Sequence, residues 1–179
     1  VDQQIGSKAA LQAFDEARQV ALAPPPDQNA WSEQRRKEYR DSLHAPVEPP
    51  PGVLTIPAIG LTVPIFEGTS DLVLNRGVGW IEGTAALGVS GNLGLAGHRD
   101  GYFRGLKDLK IGDVIEVQTV ERTMRYRVDE TLIVEPSDVF VLEPTQEPSI
   151  TLVTCYPFYF VGHAPQRYIV KGRLVPPPT

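Results

Sequence analysis

Residues 114–120 read VIEVQTV and residues 123–134 read TMRYRVDETLIV, with only Glu121 and Arg122 between them. In the first run Ile115 and Val117 alternate with polar neighbours. In the second Met124, Tyr126 and Val128 do the same. A period of two marks strands with one buried face, and two such runs back to back make a hairpin. The two apolar sets then oppose each other across the pair. The same texture extends outward. SITLVTC (149–155) and RYIVKGRL (167–174) read as strands downstream. Upstream, Leu54 and Ile56 alternate with polar or small residues, and Gly60 turns the chain into Leu61, Val63 and Ile65. Pro64 lacks an N–H, which suggests that this run is an edge strand. Asn92 to His98 is a strand of small residues. Only DLVLNR (71–76) and FRGLKDL (103–109) interrupt with short helical turns. Many strands with few helices between them favour antiparallel pairing in an all-β barrel or sandwich. A parallel sheet needs crossover connections, usually helices, and no such alternation is visible.

The first fifty residues differ. SKAALQAFDEARQVAL (7–22) is rich in helix formers, with Ser7 as a plausible cap and Pro24–Pro26 as the stop. A second helix is expected from a cap at Asn29 through Leu43, with Glu33 paired to Lys37. Its basic residues Arg35, Arg36, Lys37 and Arg40 read as a solvated face. APVEPPPG (45–52) is a stiff connector. The division is therefore an N-terminal helical and Pro-rich extension over 1–52 and a β domain over 53–179. Proline supports it: 17 of the 179 residues are Pro, against a usual share of about 5%, and they cluster. The chain opens on Val1, which reads as a processing site or the edge of a longer protein. A formal net charge of −5, with no long basic run, argues against nucleic acid as a partner.

The candidate chemistry centres on Cys155, the only cysteine. One thiol forms no internal disulfide and excludes multi-cysteine metal sites. Cys155 stands at the end of a strand, where loops present catalytic side chains. The bland alternative is a small buried hydrophobe. A thiol ordinarily titrates near 8.5, so a cysteine nucleophile needs a base or a nearby cation. His44 sits in the connector. His98 ends a strand, behind small residues that allow close approach. His163 lies in the loop after the cysteine. Both of the last two remain open, and the firmer hold of a strand end favours His98. Arg167 opens the strand after the cysteine loop. If the two strands are neighbours, its guanidinium lies beside the thiol, where it suits a developing oxyanion. Zinc on Cys155, His98 and His163 lacks ligand-pair spacing. Asp100, Asp108, Asp113 and Glu116 are scattered and leave room only for a weak calcium site built from several loops. No other cofactor motif is present.

TLVTCYPF, with LAGHRDGYFRGL ahead of it and APQRYIVKGRL behind it, resembles the sortase family of cysteine transpeptidases, most of all class D. The similarity runs from about Val53 to Leu174. It implies a closed eight-stranded barrel with short helices. Cys155 would be the nucleophile, His98 the general acid and base, and Arg167 the oxyanion holder. Thr154, in the same signature, would contact substrate. The implied activity is cleavage of an LPXTG-like C-terminal sorting signal after its threonine, through a thioacyl-enzyme. An amine then takes the acyl group, either a cell-wall peptide or a protein lysine, and this anchors a secreted protein to the envelope. Residues 1–52 would be the stalk of an enzyme held by an N-terminal anchor at the extracytoplasmic face of a bacterial membrane. A sortase-like barrel that only binds peptide, or a hydrolytic cysteine peptidase, are the alternatives. Tyr156, Phe158, Tyr159 and Phe160 would line the groove or pack on the barrel end.

Overall fold

The computed structural model describes residues 25–46, 48–158 and 164–176. The expected helix over 7–22 therefore lies outside the described residues, as do Tyr159, Phe160 and His163. Eight strands close into a barrel: β1 (Gly52–Ile56), β2 (Leu61–Glu67), β3 (Val78–Trp80), β4 (Asn92–Ala96), β5 (Val114–Gln118), β6 (Thr123–Val134), β7 (Ser149–Tyr156) and β8 (Gln166–Leu174). Around the ring the order is β1-β2-β3-β4-β7-β8-β6-β5, and β5 pairs back onto β1.

The hairpin that opened the reading is β5 and β6. Ile115 faces Tyr126 and Val117 faces Met124. These residues point inward with Leu54, Ile56, Val63, Ile65, Leu93, Leu95, Ile150, Leu152 and Val170, forming one core inside the cylinder. Burial of Tyr126 pushes its phenol up to about 12. Side chains in such a core hold each strand register, because a slip of one residue would turn every apolar group outward.

Three sequence expectations change. Two of the eight junctions are parallel, β2 with β3 and β4 with β7. The first crossover carries the short helix α2 (Asp71–Arg76); the second carries the whole β5–β6 hairpin. A crossover thus needs length rather than a long helix. β3 went unread, since three residues around Gly79 are too few to display alternation. Finally, Pro64 is not on an edge. β2 is flanked by β1 and β3, but pairing to β3 begins one residue later, at Ile65↔Val78. A closed barrel has no edge strand to offer.

Ahead of the barrel stands helix α1 (Glu33–Ser42). Its cap is Ser32, whose hydroxyl accepts from the Arg35 N–H at 3.1 Å; Asn29 instead bonds Asp27. Glu33 pairs with Arg36 at 2.7 Å, because Lys37 is taken by Asp41 at 2.9 Å. Trp31 and Tyr39 are buried, with ring centroids 5.5 Å apart in an edge-to-face contact. At the other end of the helix Arg76, the last residue of α2, donates to the carbonyls of Ser42, Leu43 and Ala45 at 3.1–3.3 Å. A cation there satisfies the open carbonyls and suits the negative end of the helix. Helix α1 is packed on the barrel. Among the described residues no helix is long and apolar enough to cross a membrane.

Candidate active site

Parallel β4 and β7 end at the same mouth of the barrel, and antiparallel β8 starts there. Cys155 lies near the end of β7 and is paired directly with Arg167, the second residue of β8. Cys155 is half-buried and free. Arg167 is half-buried too, and its guanidinium donates to the carbonyls of Ala164 at 3.2 Å and Gln166 at 2.9 Å.

His98 follows β4. The β4–β7 register pairs Ala96 with Val153, and the Gly97 N–H continues it to the Val153 carbonyl at 3.1 Å. Two residues past each member of that pair stand His98 and Cys155, at one level of the barrel. Side-chain ties fix the two segments together. The Thr154 hydroxyl donates to the Gly97 carbonyl at 2.7 Å, and Arg99 donates to the Pro157 carbonyl at 3.0 Å. Residues on both sides of His98 are thus bound to residues on both sides of Cys155. The small side chain at 97 has a local cause. A Cβ there would come within 2.6 Å of the Phe103 ring, which is fully buried. The close approach allowed by the small residues is that of an aromatic from the chain's own loop.

The His98 carbonyl accepts from the N–H groups of Gly101 and Phe103 at 3.1 and 3.2 Å, turning the chain tightly after the imidazole. Burial holds the imidazole below its ordinary 6.5, and the Arg35 guanidinium adds to that; Asp100 and Asp71 pull the other way. Neutral imidazole therefore dominates at neutral pH, the form able to accept a proton.

The solvated basic face expected on α1 is only partly solvated. Lys37 and Arg40 are exposed. Arg35 instead lies 4.0 Å over the Trp31 ring, pairs with Asp100 at 3.4 Å and donates to the Asn75 side-chain carbonyl. Arg35 and Tyr39 are spaced by four on one face of α1, and Trp31 stands just ahead of its cap, so the closeness of these residues was readable in the sequence. Nothing local pointed to the target of Arg35 at Asp100.

Thr154, expected to touch substrate, is 2% exposed with its hydroxyl spent on Gly97, so it works as a strut between the two strands. Tyr156, Phe158 and Tyr168 form a ring cluster with centroids 5.3–6.1 Å apart, and Phe158 and Tyr168 pack against the core. Barrel-end packing thus accounts for Phe158. His44 is exposed in the connector. The four scattered acids have different partners: Arg35 for Asp100, Lys107 for Asp108, the Lys110 N–H for Asp113 and Arg125 for Glu116.

Comparison with known proteins gives this mouth a family. The profile described as "Sortase domain" matches residues 54–175. Sortase D of Bacillus subtilis is 32% identical over 165 residues, which is 92% of this chain and 83% of that protein. The structure of a Clostridium perfringens sortase D5 transpeptidase superposes with a TM-score of 0.67 at 28% identity, covering 95% of this chain and 98% of the other. A sortase C from Clostridium perfringens, solved with its C-terminal cell wall sorting motif, gives 0.65 at 26% identity over 83% of this chain and 93% of the other. With this barrel, and with the cysteine strand and histidine turn at one mouth, the chain belongs to the sortase family of cysteine transpeptidases.

Proposed function

We propose that Cys155, His98 and Arg167 are the nucleophile, the acid–base and the oxyanion holder of this sortase. The substrate would be an LPXTG-like sorting signal on a secreted protein, cut after its threonine. What carries the reading is the placement of His98 and Arg167 on either side of Cys155: one tied through Gly97–Thr154 and Arg99–Pro157, the other its strand partner. The relative solved with a sorting motif supports a peptide of that class.

The Cys155 thiolate attacks the threonine carbonyl carbon, and a C–S bond forms. Arg167 and backbone amides hold the oxyanion, the guanidinium exchanging its loop carbonyls for the substrate. As the C–N bond breaks, the His98 imidazolium gives its proton to the leaving amine. A thioester remains. A second amine, from a cell-wall peptide or a protein lysine, attacks that carbonyl and loses its proton to His98. The thiolate leaves, which regenerates the starting pair. Because the imidazole is held below its ordinary range, thiolate and imidazolium coexist in a minority of molecules, and slow turnover is expected. The proton and the charge come from these side chains, so the scheme calls for no cofactor.

Sortases are membrane-associated enzymes of the cell surface. This chain would work at the extracytoplasmic face, held by an anchor ahead of residues 1–52. Mass spectrometry with a small library of LPXTG-like peptides tests the chemistry. An adduct on Cys155, released by an added amine, is expected. Transfer that survives in Cys155→Ala would end the proposal.

A further inference from the structure

We propose that Arg35, on the helix ahead of the barrel, is a positioning residue of the active site that acts through Asp100 on the turn carrying His98. The inference rests on the reading of His98 as acid–base, and it makes α1 a working part of the enzyme.

The turn after His98 is gripped twice, from α1 and from the residue just ahead of its cap. The Trp31 indole N–H donates to the Asp100 carbonyl at 2.6 Å. The Arg35 guanidinium reaches both Asp100 carboxylate oxygens, at 3.4 and 3.5 Å. These two contacts are long, and an exposed pair of that length contributes little. This one is not simply exposed. The Arg35 side chain is 17% exposed, lying over the Trp31 ring. Its third arm donates to Asn75, which is 6% exposed on α2. A planar fork can serve the carboxylate, the amide and the ring together; a lysine cannot. Tyr39 is buried beside Tyr102, four residues past His98, and Arg76 fixes the end of the helix. The helix is therefore a rigid back wall, and Arg35 transmits its position to the imidazole.

The charges facing His98 come from three elements. Arg35 on α1 disfavours the imidazolium, while Asp71 on α2 and Asp100 on the turn favour it. Arg99 and Arg167 stand on the neighbouring segments. A bystander packing contact would leave the titration of His98 alone when replaced; Arg35 would not.

The test uses the whole chain, with an LPXTG-motif peptide and an amine acceptor for kinetics and NMR for the His98 titration. Arg35→Ala should lower kcat about 10- to 100-fold, the scale of a misplaced catalytic group, with KM moving less than about twofold. Its His98 should titrate higher than in the parent. Asp100→Asn should also lower kcat, but with His98 titrating lower. Arg35→Lys should keep the low titration and regain only part of the rate. Arg36→Ala, on the outer side of α1, should match the parent in both readouts. Parent-like kcat and titration in both Arg35→Ala and Asp100→Asn would overturn the proposal. So would a rise in KM with kcat intact, since that places Arg35 on the substrate path. If Arg35→Ala fails to fold, the Arg35→Lys and Asp100→Asn pair decides alone. Full transfer in His98→Gln would sink the acid–base reading, whereas the titrations still report whether Arg35 acts on His98.

Discussion

The segments that carry His98 and Arg167 flank β7 on opposite sides, and they are held in different ways. The histidine side is built from several elements. Thr154, Arg99, Phe103, Trp31 and Arg35 all bear on residues 97–103. The arginine side is built from strand register alone. Arg167 faces Cys155 because β8 pairs with β7, and its guanidinium rests on the carbonyls of Ala164 and Gln166, next to it in sequence. The contrast fits two kinds of work. A proton carrier must keep one geometry through both halves of the reaction. An oxyanion holder is needed only when charge develops, and its donors can be borrowed from carbonyls until then.

Replacing the two side chains sharpens this difference and gives the largest effects. His98→Ala is expected to lower kcat/KM by about 10²- to 10⁴-fold, the usual contribution of an acid–base group. Arg167→Ala should cost about 10²- to 10³-fold, the scale of one oxyanion donor. Thermal unfolding separates the two sides further. Among the described residues the Arg167 guanidinium hydrogen-bonds only Ala164 and Gln166, so Tm of Arg167→Ala should hardly move. A large Tm loss there would break the comparison.

The barrel strands that carry the site were legible in the sequence for a physical reason. β5 to β8 are long enough to show period two, and the strand pairing of Cys155 with Arg167 follows once β7 and β8 are neighbours. The family strings then placed His98. What escaped notice lies in contacts across long sequence distances. Arg35 and Asp100 are 65 residues apart, and nothing local to either names the other. Arg35 and Tyr39 share a helix face, yet an arginine grouped with Arg36, Lys37 and Arg40 reads as solvated until a surface is found for it. Thr154 neighbours Cys155 in the motif, but its hydroxyl is bound to the Gly97 carbonyl, since the inward half of a strand has to face the core. The parallel junctions escaped because β3 is too short to show alternation and because the β4–β7 crossover carries a hairpin where a long helix was expected.

The stiffness of the histidine side can be tested without touching its imidazole. Gly97→Ala drives a methyl into the buried Phe103 ring. Overpacking of this sort costs about 1–3 kcal/mol, a Tm loss on the order of 5 °C in a chain of this size. Gly101→Ala is the control: its nearest neighbour, the His98 Cβ, stands at 3.4 Å, an ordinary contact, so the loss should be small. Thr154→Val keeps the shape but removes the hydroxyl that serves the Gly97 carbonyl. Leaving that group unpaired costs about 1–3 kcal/mol, and differential scanning calorimetry should see it. Equal stability of Gly97→Ala and Gly101→Ala would mean that the turn yields, contrary to its dense ties.

The smallest expected effect is the pH dependence of stability. His98 sits below its ordinary 6.5 in the folded chain, because burial and then Arg35 disfavour the charged ring. The unfolded chain therefore binds more protons than the folded one between 6.5 and the lower folded value. Stability rises with pH wherever that holds, so this contribution is complete above 6.5 and is lost as pH falls through the folded value. Chemical denaturation of the parent and of His98→Gln across pH 5 to 7.5 isolates it: the parent should lose stability on acidification more steeply than the variant. The opposite slope would mean that Asp100 and Asp71 outweigh burial and Arg35 together. The histidine side would then be held as a charged ring against two carboxylates, rather than as a neutral ring inside a wall.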